Sequence, residues 1–89
     1  MSDYAVRLTS HANAQLRKLD RLIQKRLSAA INGLAQEPRP DDSKTLSGAE
    51  SLWRIRVGAY RIVYSIDDGV LLVLVIKLGH RRSVYRRLD

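Results

Sequence analysis

The chain has 89 residues, 45% of them apolar, and sixteen Lys+Arg against nine Asp+Glu give a formal charge of +7. A chain this short holds a single core, so one domain over residues 1–89 is expected, and without cysteine there is no disulfide, thiolate metal site or cysteine nucleophile. The longest apolar run, residues 70–76, is too short for a bilayer, and no apolar run follows a basic start, so the expected location is the cytoplasm.

Residues 4–8 alternate in polarity and lead into Thr9-Ser10, two good N-cap residues, which predicts a short strand feeding a helix. From Ala12 the apolar positions Ala12, Leu16 and Leu19, then Leu22, Ile23, Leu27, Ala30, Ile31 and Leu34, recur at three and four. That spacing puts one apolar stripe on each of two helices, with Asp20 able to cap the second. Arg17, Lys18, Arg21, Lys25 and Arg26 fill the polar faces and read as solvated, while His11 at the helix start reads as structural. Pro38 and Pro40 forbid further helix, and residues 41–48 read as a loop.

From Leu52 the period changes to two. Residues 52–57, 60–67 and 70–78 are rich in β-branched and aromatic side chains and read as strands. Gly58-Ala59 suits a type II′ turn and Asp68-Gly69 a type I′ turn. The predicted fold class is α+β in the order βααβββ, an N-terminal strand and helical hairpin packed on an antiparallel sheet.

Charge is unevenly spread. Residues 1–50 hold eight bases and six acids, net +2, whereas residues 51–89 hold eight bases and three acids, net +5. Seven of the latter eight bases are arginine, whose planar fork of donors matches phosphate, which points to a polyanionic partner. A two-residue loop at Gly58-Ala59 fixes a register in which Val57 opposes Tyr60, Arg56 opposes Arg61, Ile55 opposes Ile62 and Trp53 opposes Tyr64. Side chains alternate faces along a strand, so Trp53, Ile55, Val57, Tyr60, Ile62 and Tyr64 share the face that the helices cover. Arg54, Arg56 and Arg61 share the other. Two arginines placed directly opposite repel unless an anion lies between them, which favours a phosphate site over a purely structural sheet.

With the Asp68-Gly69 turn, Leu72, Leu74 and Ile76 fall on the arginine face as an apolar floor. It is open either to the chain's own C-terminal residues or to a partner segment. The tail after the last strand adds His80, Arg81, Arg82 and Tyr85 to the neighbourhood of Arg61. A tyrosine among arginines suits base stacking beside phosphate contacts.

These segments resemble the RelE/ParE toxin superfamily over nearly the whole chain. The resemblance is carried by Leu52-Trp53-Arg54-Ile55-Arg56, Tyr60-Arg61-Ile62-Val63-Tyr64 and Gly79-His80-Arg81 with Val84-Tyr85. Leu8-Thr9-Ser10 and Lys44-Thr45-Leu46-Ser47-Gly48 add weaker support. It implies a RelE-like microbial ribonuclease-type fold and a toxin of a type II toxin–antitoxin system. Such a toxin is an endoribonuclease that cleaves mRNA in the ribosomal A site, without a cofactor or metal, and is silenced by a cognate RelB-like antitoxin. The alternatives are a ParE-like poison of DNA gyrase without nuclease activity and an inactive basic nucleic-acid-binding module.

Cleavage by 2′-hydroxyl attack needs a proton acceptor, cations for the growing phosphorane charge and a proton for the leaving 5′-oxygen. By resemblance, Arg61 and Arg81 carry the charge stabilisation, with Arg81 near the leaving group, and Tyr85 stacks on a base. Arg54 and Arg56 stand where a RelE type has two lysines, and Arg82 joins them in gripping phosphate. Guanidinium holds its proton too firmly to act as a base. His80 is the acid/base candidate by residue type, with Asp42 and Glu50 as possible carboxylates.

Overall fold

A computed structural model of the chain describes residues 3–46 and 49–84. A short strand β1 (Ala5–Leu8) runs into helices α1 (Ser10–Arg17) and α2 (Arg21–Gly33). Four strands follow, β2 (Lys44–Leu46), β3 (Ala49–Val57), β4 (Tyr60–Asp67) and β5 (Leu72–His80), and then a single turn of helix α3 (Arg81–Val84). The fold is α+β, as the periodicity implies, but β2 and α3 are additions to the expected βααβββ order. β2 has three residues, Lys-Thr-Leu, too few to show an alternation.

The five strands form one mixed sheet in the order β1-β5-β4-β3-β2. β1 lies parallel to β5, pairing Val6 with Val73 and Leu8 with Val75, while the other pairs are antiparallel. Both helices lie against one face. Leu27, Ile31 and Leu34 from α2 and its C-terminus, with Ala12 from α1, meet Ile55, Ile62, Tyr64, Val73, Val75 and Leu78 from the sheet, all at 4% exposure or less. Truncating a leucine in such a core costs about 2–5 kcal/mol.

The helix starts are built differently. Thr9 caps α1, its hydroxyl accepting the amide of Ala12 at 3.0 Å, as its residue type foretells. Asp20 occupies the N-cap of α2 but makes no side-chain capping bond. Thr9 also repairs a sheet edge. Where β1 ends, the Thr9 amide donates to Val75 and its hydroxyl to the carbonyl of Ile76, and Gln15 Oε1 accepts the amide of Leu78. Polar side chains of the first helical turns thus replace a missing neighbour strand and close the edge of β5.

The β3–β4 hairpin has the register read from the sequence, with Val57 opposite Tyr60, Arg56 opposite Arg61, Ile55 opposite Ile62 and Trp53 opposite Tyr64. Gly58 takes φ +61°, the left-handed first position that a II′ turn demands. The β4–β5 connection differs from the expected two-residue I′ turn. Asp67 pairs with Leu72 rather than Val70, and the Asp67 carboxylate accepts the amides of Gly69 and Val70, which widens the turn. Leu71 then enters β5 at φ +54°.

A second departure lies within β5. Val63 pairs with Lys77 but Tyr64 with Val75, so Ile76 is the extra residue of a bulge. Before the bulge, Leu72 and Leu74 lie on the arginine face as expected. After it the alternation is reversed: Lys77 joins the arginine face, while Leu78 and His80 turn to the helix side. Ile76 is therefore an unpaired bulge residue and no regular part of an apolar floor.

The far end of the sheet is held by a small network. Tyr64 Oη donates to the carbonyl of Pro38 at 2.8 Å within the core. Arg39 reaches Asp68 through two nitrogens, at 2.8 and 3.3 Å, and lies over the Trp53 ring at 5.2 Å. Tyr4 donates its hydroxyl to the same carboxylate. The loop after α2, the β4–β5 turn and the start of β1 are thereby joined. No helix among the described residues is long and apolar enough to cross a membrane.

Candidate nucleic-acid interface

The sheet face away from the helices is where the cations gather. The ladders align two rows across it: Lys44, Arg54, Val63 and Lys77 in one, Arg56, Arg61 and Gly79 in the next. Arg7 stands on the same face in register with Leu74. The rows are graded in depth. Lys44 and Arg56 are exposed and Arg54 is half-buried, whereas Arg61 and Lys77 are each only 7% exposed.

Two features of this face are costly. Arg56 directly opposes Arg61, and at about 6 Å with an effective dielectric near 20 two unit charges repel by roughly 3 kcal/mol. Arg61 is also taken out of water, and its Nε has no hydrogen-bond partner among the described residues. A buried guanidinium with an unused donor, on a residue directly opposite a second arginine, is stabilised by an anion that spans the two.

The edge of the site is set by the backbone. The Arg81 amide donates to the carbonyl of Ala59 at 2.8 Å, which anchors the start of α3 on the tip of the β3–β4 hairpin. Arg81 and Arg82 are exposed there, at the end of the sheet that carries Arg56 and Arg61. Arg54, Arg56 and Arg61 thus share one sheet face, with the backbone of Arg81 held at its edge.

His80 does not join them. It pairs with Tyr60, and the two rings meet edge to face at 5.8 Å between centroids, on the helix side of the strand. The bulge at Ile76 is the physical cause, because it reverses which face each later residue takes. The His80 Nδ1 accepts the amide of Arg82 at 3.3 Å. Asp42 is an exposed loop residue before β2 that borders the same cavity as Arg56, at the edge of the arginine rows, and Glu50 is placed on β3. Tyr85, and the question of whether C-terminal residues fold over the apolar floor, lie outside the described residues.

The same bulge brings in the residue that strict alternation misses. Lys77 is the sole base within a run of apolar residues, 70–78, and that isolation was its only sequence signal. No group of three or more His, Cys, Asp or Glu that could hold a metal ion occurs among the described residues.

The protein thus has a five-stranded sheet backed by two helices on one face and lined with arginines on the other. The sequence model of the family described as the ParE toxin of type II toxin–antitoxin systems matches residues 6–85. The chain belongs to this RelE/ParE toxin family, and within it is a RelE-like toxin of a toxin–antitoxin system. Toxin RelG of Mycobacterium tuberculosis is 32% identical over 85 residues, 94% of this chain and 98% of that one. Toxin RelE of the same organism is 33% identical over 90 residues, 97% of this chain and 93% of that one. The fold matches a chain of the toxin–antitoxin complex RelBE2 from M. tuberculosis with a TM-score of 0.79 at 32% identity, covering 91% of this chain and 94% of that chain. It matches a chain of the archaeal RelE–RelB complex from Pyrococcus horikoshii OT3 with a TM-score of 0.80 at 27% identity, covering 91% and 98%.

Proposed function

We propose that the protein is a ribosome-dependent endoribonuclease that cuts mRNA in the ribosomal A site by attack of a 2′-hydroxyl on the adjacent phosphate. The observation that supports this reading is that Arg54, Arg56 and Arg61 share one sheet face with the Arg81 backbone at its edge, the innermost guanidinium being buried with no partner for its Nε among the described residues. Charge on the phosphoryl oxygens grows in the transition state, and preorganised cations in a water-poor site are worth most there. Arg61 and Arg81 stabilise that charge, Arg81 beside the departing 5′-oxygen. Arg54, Arg56 and Arg82 grip flanking phosphates. Tyr85 stacks on a base. Ribosome dependence and a cytoplasmic setting follow from the resemblance to RelE toxins, as does the absence of a metal or cofactor.

A cognate antitoxin is the second proposed partner, since the RelE chains of M. tuberculosis and P. horikoshii are each seen in a complex with RelB or its counterpart. Leu72 and Leu74 beside the arginine rows offer an acidic, partly apolar segment both of the contacts it needs.

Arg61→Ala and Arg81→Ala should each abolish growth arrest while the protein stays folded, and toxicity surviving in both refutes the assignment. The second reading is a gyrase poison, favoured by the ParE description of the matching family. Mapping the 5′ ends of a translated message after adding purified protein separates the two. Discrete cuts within codons support the ribonuclease, and DNA damage with intact message supports the poison.

A further inference from the structure

On the helix side of the sheet, at the strand end that leads into Arg81, Tyr60 borders two cavities. The larger, about 340 Å³, is walled by Gln15, Lys18, Tyr60, Leu78 and His80. That volume falls in the range of roughly 300–1,000 Å³ typical of small-ligand sites. The smaller, about 160 Å³, lies between α2 and the β3–β4 hairpin and is walled by Ile23, Arg26, Val57, Ala59 and Tyr60. Lys18 and Arg26 are exposed cations, and no acid among the described residues lines either cavity. Arg26 reaches the hairpin tip, where a side chain at Gly58 would meet its guanidinium at 3.4 Å.

The walls of this groove are tied in place. Gln15 Oε1 accepts the Leu78 amide at 2.9 Å and joins α1 to β5. Gln24 Nε2 donates to the carbonyls of Leu19 at 2.7 Å and Arg17 at 3.2 Å, which fixes the α1–α2 turn that carries Lys18. The Arg81 amide binds the Ala59 carbonyl, and the Arg82 amide binds His80 Nδ1 at 3.3 Å. The Tyr60 and His80 rings meet edge to face at 5.8 Å, with their planes at 76°. An aromatic wall beside a cation, held by hydrogen bonds from three helices, is suited to a planar base with a phosphate attached.

We propose, building on the ribonuclease reading above, that this groove is a second RNA site that takes one nucleotide other than the one attacked. Its base stacks against Tyr60, its phosphate meets Lys18, and Arg26 draws the adjoining backbone along the hairpin tip. Tyr60 and Arg61 are consecutive on β4, so their side chains take opposite faces of the sheet. A base on Tyr60 and a phosphate on Arg61 therefore hold RNA from both sides of one strand end. Stacking on an aromatic face beside a phosphate contact is the same chemistry whether the nucleotide belongs to the message or to ribosomal RNA.

The first test needs no variant and no activity. Adenosine 5′-monophosphate is titrated into the full-length protein and the Tyr60 ring signals are followed by NMR. They should shift saturably with the nucleotide and stay in place with inorganic phosphate. No shift with the nucleotide, or an equal shift with phosphate, overturns the proposal. Lys18→Gln, a change at an exposed position, should weaken nucleotide binding several-fold, and unchanged binding overturns the phosphate contact. On ribosomes carrying a message, Tyr60→Leu should lose about tenfold in cleavage or in ribosome affinity, within the range that stacking on an aromatic side chain supplies. A Tyr60→Leu variant that binds and cuts like the unsubstituted protein overturns the proposal. Messages made abasic at each nucleotide flanking the cut identify the source. A matching loss at one position, with no further loss in Tyr60→Leu, assigns the message; normal cutting of both, with ribosome affinity weakened in Tyr60→Leu, assigns ribosomal RNA. If the nucleotide shifts Tyr60 but the unsubstituted protein leaves every message uncut, the ribonuclease reading falls and the site stands.

Discussion

Replacing Arg61 by methionine should make the protein more stable and inactive at once. The substitution keeps an unbranched stem of similar length in a position that is 7% exposed, and it removes a charge. Three costs disappear with the guanidinium. These are its desolvation, the repulsion from Arg56 directly opposite, and the Nε left without a partner among the described residues. The Arg56 repulsion alone reaches about 3 kcal/mol at an effective dielectric of 20, and the exposed position of Arg56 reduces it. Exchanging a buried charge for a packed apolar side chain gains about 1–4 kcal/mol in comparable cases, so a net gain of about 2 kcal/mol is expected. At about 4–8 °C per kcal/mol for a domain of this size, Tm rises by roughly 10 °C. Urea and thermal unfolding at neutral pH measure the gain, and growth arrest reports the loss of function. A variant destabilised by more than about 1 kcal/mol would refute the reasoning, because Arg61 would then be a satisfied structural anchor.

Further outcomes follow from the core and the turns. Tyr64→Phe leaves the Pro38 carbonyl without its donor and should cost about 1–3 kcal/mol in urea unfolding. Burial pushes the Tyr64 hydroxyl up to about 12, so its contribution is complete below pH ~10, where the unfolded tyrosine titrates, and is lost as pH rises through about 12. The phenylalanine variant should lack that alkaline decline. Hydrogen bonds from Arg39 and Tyr4 hold the Asp68 carboxyl below its ordinary range. Its stabilisation is therefore present above pH ~4 and lost as pH falls further, and Asp68→Asn should flatten the acid limb of a stability–pH profile. Gly58→Ala forces a side chain into φ +61° against the Arg26 guanidinium at 3.4 Å and should cost about 1 kcal/mol, read as a shift in urea midpoint at unchanged slope.

The sequence made some parts of this fold legible and hid others for identifiable reasons. Gly58 at the first position of a two-residue loop specified a turn that leaves one register, and with it the face shared by Arg54, Arg56 and Arg61. Thr9 announced its helix because a hydroxyl at that place has one local use. Asp68-Gly69 looked equally decisive, yet Asp67 captured two amides of the turn and lengthened it. The bulge at Ile76 left no mark in the alternation of residues 70–78. It is held by Thr9 and Gln15, some sixty residues earlier in the chain, and no local pattern shows such a partner. Its effect on the site was large, since a one-residue slip exchanged Ile76 for Lys77 on the arginine face and removed His80 from it.

The central claim is that this corner accelerates attack of a ribose hydroxyl on its own phosphate. It is tested most directly with ribosomes carrying a defined message in which the nucleotide 5′ to the cut is either ribose or 2′-deoxyribose. The account predicts rapid cutting of the all-ribose message, with a 2′,3′-cyclic phosphate on the upstream fragment and a 5′-hydroxyl on the downstream one. It predicts no cutting at the deoxy position. Equal cleavage of both messages, or a 5′-phosphate on the downstream fragment, contradicts it.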